Sequence, residues 1–185
     1  MANEASIDYF KENFLKYGLA KPSRYRVEFA NVQDGGRSQS RQDIMPAETV
    51  TLPTRSFIVL DEQWFGPKRD IPVGNNYAGD VVISFPVSAD QTERTFFEGW
   101  MDEIVPPHMG VAGGDGEQHN WLSTIASSTT MKIKTLNELN EVTSTYTLHE
   151  AYPNNIFPIS LGASMFNDYT RLQVSFRYRS YTYEI

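Results

Sequence analysis

Residues 24–30 alternate, with Tyr25, Val27 and Phe29 on one side and Arg24, Arg26 and Glu28 on the other. A period of two marks a strand with one dry and one wet face. Further strands are predicted over residues 80–87, 130–136 and 143–149, the last two joined as a hairpin through Asn137-Glu138-Leu139-Asn140. The most regular alternation spans residues 171–183, where Leu172, Val174, Phe176 and Tyr178 oppose Arg171, Gln173, Ser175, Arg177 and Arg179, and it predicts one long closing strand. Before it, Pro153-Asn154-Asn155 is expected to be a turn. The period changes twice. Ile7, Phe10, Phe14 and Tyr17 recur at three- and four-residue steps between Ser6 and Gly18, predicting a short helix over residues 7–17. Phe96, Phe97, Trp100, Met101 and Ile104 make the apolar face of a second helix, opposite Glu93, Arg94, Glu98, Asp102 and Glu103, and Pro106-Pro107 stops it.

Residues 34–79 follow neither period. Short apolar pieces are broken by Pro46, Pro53, Pro67 and Pro72, which confines them to edges, bulges and turns. Yet Ile44, Met45, Phe57, Ile58, Leu60, Trp64 and Phe65 carry too much apolar surface to leave in water. The segment is expected to be a projecting, hairpin-like excursion that needs a partner surface. Glycines 110, 113, 114 and 116 make residues 108–127 a loop. The fold expected is mainly β, in the α+β sense: two packed antiparallel sheets or a distorted β-barrel, with a central helix over an open face and an N-terminal helix. No internal repeat or linker divides the 185 residues, so a single domain is expected over 1–185.

Composition narrows the function. A formal charge of -7 argues against a surface that holds nucleic acid by neutralising phosphates. The absence of cysteine removes disulfides, thiolate nucleophiles and Cys-ligated metals. The start lacks the basic segment and apolar run of a signal peptide, and no window has the ~20 apolar residues of a membrane span, so no membrane insertion is expected.

No catalytic constellation emerges. His108, His119 and His149 are scattered without ligand spacing, so no metal or cofactor is expected. Asp102-Glu103, or Glu138 with Glu141, are pairs of carboxylates of the kind a glycosidase uses, but a helix's wet face and a turn make solvated charge the simpler reading. There is no Gly-x-Ser-x-Gly elbow, and the glycine loop lacks a Gly-Lys-Ser/Thr ending. The many tyrosines suit strands and half-dry interfaces as well as a sugar platform. No enzymatic role is expected.

The order of elements resembles a known family. Ala20-Lys21-Pro22-Ser23-Arg24-Tyr25-Arg26-Val27-Glu28-Phe29, the proline-broken excursion with Leu52-Pro53 and Ile71-Pro72-Val73-Gly74, and Arg94-Thr95-Phe96-Phe97-Glu98-Gly99-Trp100-Met101-Asp102 resemble the tail tube protein of T4-like contractile-tailed bacteriophages. Thr145-Tyr146-Thr147-Leu148-His149-Glu150-Ala151-Tyr152-Pro153-Asn154-Asn155 is similar to that family's strand running into a Trp-Pro-Thr-Asn-type turn, with Tyr152 and Asn154 in the Trp and Thr places. Residues 34–43 and 110–119 are longer than the family pattern. The resemblance implies a structural subunit of a virion tail, assembled in the host cytoplasm, whose hexameric rings stack into a tube that passes the genome into the host. It implies as partners further copies of itself, a contractile sheath, a baseplate and a tail terminator, with DNA only in transient passage. A type VI-like secreted tube protein shares the fold, and a monomeric carbohydrate-binding β domain is the rival from another class.

On this resemblance, Phe57, Ile58, Trp64 and Phe65 are the expected apolar anchors between stacked rings. Six copies would carry a formal -42 per ring, which disfavours retention of DNA. Arg171, Arg177 and Arg179 share one polar face of the predicted last strand, with the orientation of that face left open.

Overall fold

The computed structural model describes residues 20–30, 46–63, 66–77, 79–105, 130–162 and 168–185, which contain ten strands and one helix, numbered here in chain order. The helix expected over residues 7–17 and the glycine loop over 108–127 lie outside the described residues. The first sheet has the order β1 (Tyr25–Ala30), β6 (Thr130–Leu136), β7 (Val142–His149) and β10 (Ser180–Glu184). All three of its pairings are antiparallel, so one row runs Val27, Ile133, Tyr146, Tyr183 and the next Arg26, Lys134, Thr145, Glu184. The period of two thus puts Val27, Phe29, Met131, Ile133 and Leu148 into the core.

The second sheet has the order β2 (Thr49–Val50), β5 (Val81–Pro86), β9 (Arg171–Arg177) and β8 (Tyr152–Ile156). It buries Val81, Ile83, Phe85, Leu172, Val174 and Phe176 against the first. Against both packs α1 (Thr92–Ile104), whose Phe96, Phe97, Trp100 and Ile104 complete one core. Phe29 is the junction: its ring lies 5.7–6.3 Å from those of Phe85, Phe96, Phe97, Trp100 and Phe176. A third, two-stranded sheet, β3 (Ser56–Glu62) with β4 (Arg69–Asn76), stands apart from both.

Three expectations are corrected. The stretch 171–183 is two strands in different sheets. Tyr178 is buried at the corner, its hydroxyl donating to the Thr54 carbonyl at 3.1 Å, and the chain then crosses over. Residues 153–155 belong to β8, which pairs with β9 through a bulge between Pro153 and Asn155, and Glu150 at φ 54 makes the turn before it. Glu93, expected on the wet helix face, is buried. It accepts the Ser88 N–H at 2.9 Å and the Ser88 hydroxyl at 2.6 Å, fastening the helix start.

Asp90 completes that start. Hydrogen bonds from Ser88 first, then Thr92, lower its pKa from the ordinary 3.8 to about 2. A depressed value means stability that is full above pH 3.8 and lost as pH falls through about 2. Asp90→Asn should therefore melt below the parent at neutral pH, and the gap should close by about pH 2, as followed by circular dichroism. A gap independent of pH would show that the charge is not the cause.

Candidate functional site

The excursion resolves into two parts. Its early residues Thr49–Val50 pair with β5, and residues 56–76 form the separate hairpin. Pro72 stands opposite Val59 where the register shifts, because a residue without an N–H cannot continue the ladder. Phe57, Leu60 and Val73 are 57–59% exposed, and Ile58 and Val59 about half, so both faces of the hairpin are apolar and wet. A lone two-stranded ribbon cannot cover them. Phe57 and Ile58, neighbours in sequence, point to opposite faces. The Arg55 guanidinium lies 5.6 Å from the Phe57 ring centre. Trp64 and Phe65 lie outside the described residues.

The hairpin is anchored at its base. Tyr77 packs edge-on against Tyr181 at 5.7 Å, and Gly79, at φ 152, leaves room where a Cβ would meet the Thr54 hydroxyl at 2.6 Å. Near the far end Asp61 faces Asp70, with the Lys68 ammonium 2.7 Å from Asp61. Hydrogen bonding to Asp61, then its charge, raises the Asp70 pKa. A raised carboxyl favours the folded pair in acid and loses that contribution as pH rises.

The second surface is the outer side of the first sheet. Arg26, Glu28, Lys132, Lys134, Thr145, Thr147, His149, Thr182 and Glu184 share it by register. The Lys134 ammonium lies 2.6 Å from Glu28, and His149 Nε2 lies 3.2 Å from the Thr182 hydroxyl. Three cations against two carboxylates leave this face nearly neutral, although the chain is at -7.

Arg171 and Arg177, an even number of residues apart, lie on the same polar face of β9, while Arg179 lies outside the strand. Arg171 and Arg177 stand at opposite ends of β9, about 20 Å apart along the strand, and Arg179 sits in the corner beyond it. Each meets a carboxylate. Arg171 Nε lies 3.0 Å from Glu48 and its Nη1 3.1 Å from Asp168, Arg177 Nε lies 3.2 Å from Asp80, and Arg179 Nη1 lies 2.8 Å from Glu150. The Tyr169 hydroxyl, donating to Glu48 at 2.8 Å, and then Arg171 hold the Glu48 carboxyl below its usual range.

Other candidates are absorbed locally. Glu138 pairs with Lys21 at 2.5 Å and Glu141 accepts the Asn137 amide at 2.8 Å, both in the β6–β7 turn. His108 and His119 lie outside the described residues. Among the described residues no three metal-ligating side chains converge. A cleft of about 560 Å³ is lined by Leu161, Tyr169, Arg171 and Gln173, and the Arg171 guanidinium lies over one face of the Tyr169 ring at 4.2 Å. The feature sequence reasoning missed is the pair of outer strands, β1 and β10, that no other described strand covers. The signal available for β10 was the phase slip from even apolar positions at 172–178 to odd ones at Tyr181 and Tyr183.

The same architecture occurs in chains from contractile injection assemblies. A chain of the sheath-tube complex of an extracellular contractile injection system, PVC, in its extended state superimposes with a TM-score of 0.62 at 12% identity, covering 97% of this chain and 98% of that one. A chain of the anti-feeding prophage baseplate gives 0.64 at 15% identity, covering 90% and 96%. One from the anti-feeding prophage tube-terminating cap gives 0.63 at 14%, covering 90% and 91%. At these identities the likeness is one of fold. The chain itself belongs to the phage tail tube protein family, whose model matches residues 20–184. It is a structural subunit of a tail tube. No curated protein sequence matches it.

Proposed function

We propose that copies of this chain close into hexameric rings, stack head-to-tail into a hollow tube, and pass the genome through its lumen into the host. One observation carries this reading: a four-stranded antiparallel sheet whose two outer strands no other described strand covers, with a dry face under the rest of the subunit and a mostly polar outer face. Joining edge to edge satisfies the free backbone groups, and closure leaves no edge to aggregate. The second sheet and α1 cover the dry face, so their bulk belongs outside the ring and the polar face inside. Head-to-tail stacking is open-ended and yields a filament. The exposed hairpin, with Phe57 and Ile58 and the neighbouring Trp64 and Phe65, is the part that reaches the next ring.

A sheath around the tube, a baseplate at its start and a terminator at its end are the partners, in line with the complexes from which the similar chains come. Assembly takes place in the host cytoplasm, and the role is mechanical, without a reaction to catalyse. Among the described residues no helix is long and apolar enough to cross a membrane.

For the passing duplex the lining matters. The outer face offers hydroxyls and nearly balanced charge, and Arg171, Arg177 and Arg179 are held by their own carboxylates. Few phosphates can be neutralised, so binding and its salt dependence are weak. The purified chain should form rings and tubes under negative stain, and these should not retain duplex DNA on a filter at 50 mM salt. Compact single particles alone, at high concentration and with baseplate components added, would overturn the tube reading. Tight, salt-sensitive retention would overturn the inert lumen.

A further inference from the structure

We propose that Lys132 and His149, with the hydroxyls of Thr147 and Thr182, form a phosphate subsite on the polar face of the first sheet that fills when the imidazole is protonated. The tube then holds DNA in mild acid and lets it slide at neutral pH. This rests on the tube reading, in which that face lines the lumen, and adds a regulation to it. Register brings the four residues together. Thr130 stands opposite His149 and Lys132 opposite Thr147, so Lys132 and His149 are diagonal neighbours on adjacent strands, with Cβ atoms within about 7–8 Å. On the other side β10 sets Ser180 opposite His149 and Thr182 opposite Thr147. His149 Nε2 lies 3.2 Å from the Thr182 hydroxyl, which is itself exposed. Lys132 has no ion pair among the described residues, whereas Lys134, one row along, is held by Glu28 at 2.6 Å.

No carboxylate of the sheet stands next to the His149 ring. Its neighbours on β6 and β10 are Thr130, Lys132, Ser180 and Thr182, with Thr147 on its own strand. The nearer acids are committed elsewhere: Glu150, next in sequence, pairs with Arg179 at 2.8 Å, and Glu28, beyond β6, pairs with Lys134. Glu184 lies two rows along, past Thr182. A proton on His149 is therefore not neutralised locally. With Arg26, Lys132 and Lys134 set against Glu28 and Glu184, it doubles the face's formal excess from one positive charge to two, and the gain recurs at every copy around a ring. Histidine is the side chain that gains charge between about pH 8 and 5, while exposed carboxylates stay ionised. Protonation also turns a hydroxyl. A neutral ring can accept the Thr182 proton at Nε2, but an imidazolium only donates there, which frees the Thr182 O–H to donate outward to a phosphate oxygen. Charge-assisted donors on His149 and Lys132 flank it. Duplex DNA carries a charge every ~1.7 Å of its axis, so one molecule engages many such weak subsites at once.

Tubes of the full chain are mixed with a fluorescent duplex at 50 mM salt, at pH 7.5 and at pH 6.0, and retention on a filter is read beside negative-stain images of both samples. Retention should be low at pH 7.5 and about tenfold higher at pH 6.0, and the acid-bound fraction should fall steeply as salt is added. His149→Gln should stay low in both buffers, His149→Lys should retain the duplex in both, and Lys132→Gln should lose most of the acid gain. His149→Lys also gives the answer if His149→Gln does not assemble. Equal retention by the parent at the two pH values, an acid gain that survives His149→Gln, or free passage through His149→Lys tubes would overturn the subsite while leaving the tube reading intact. Tubes that come apart at pH 6.0 with DNA present would overturn it too. A parent chain that never assembles at pH 7.5 would instead remove the tube reading and the lumenal subsite together.

Discussion

Serine at both Phe57 and Ile58 should leave the free subunit folded with an unchanged melting temperature and abolish tube growth. Both side chains are already half or more exposed in the single copy, so the monomer loses almost no burial. In a stacked ring each would be covered, and burying an apolar side chain of that size is worth ~1.5–3 kcal/mol before ordering costs. The loss recurs at every copy around the ring. Because the two residues point to opposite hairpin faces, the single variants Phe57→Ser and Ile58→Ser should differ, and the more damaging one marks the face against the next ring. The companion variant with Trp64→Ser and Phe65→Ser should behave the same way. Tube length by electron microscopy, set beside a thermal melt of the monomer, gives the answer; tubes of normal length from the double variant would remove the hairpin from the stacking contact.

Phe29→Ala should do the reverse and strike the subunit itself. Phe29 is 2% exposed and touches the aromatic rings of both the second sheet and α1, so its removal opens a cavity where all three layers meet. Large aromatic-to-alanine changes at such sites cost about 3–5 kcal/mol, a large share of the roughly 5–15 kcal/mol that keeps a domain folded. Urea denaturation of the monomer should show a midpoint falling in proportion. Phe29→Leu, which keeps most of the volume, should recover more than half of the loss. A cost under about 1 kcal/mol for alanine would mean that the three layers do not depend on this ring.

The two variants divide the molecule as its surfaces do. Core residues that hold the subunit together came directly from periodicity: Val27 and Phe29 in β1, Phe96, Phe97 and Trp100 in α1, and Leu172, Val174 and Phe176 in β9 all lie where alternation or helical spacing placed them. The excursion was legible as apolar and proline-broken, but its division into a strand of the second sheet and a free hairpin was not. Thr49–Val50 is too short to announce itself, and only its pairing with β5 makes it a strand. Glu93 was assigned to the wet face because its helical position allowed it, while its burial depends on Ser88 reaching it from outside the helix.

Local pattern determined, from the sequence by itself, the strands β1, β5, β6, β7 and β9, the long helix and the apolar side of each, because hydrophobic periodicity is set by neighbours a few residues away. Tertiary structure alone decided which sheet each strand joins. The alternation over 171–183 continues past Arg177 with a slip of phase, and only packing shows that β9 and β10 serve different sheets. The same holds for Lys132 and His149, unremarkable in the chain, which become neighbours on one polar face only because β6 pairs with β7 in this register.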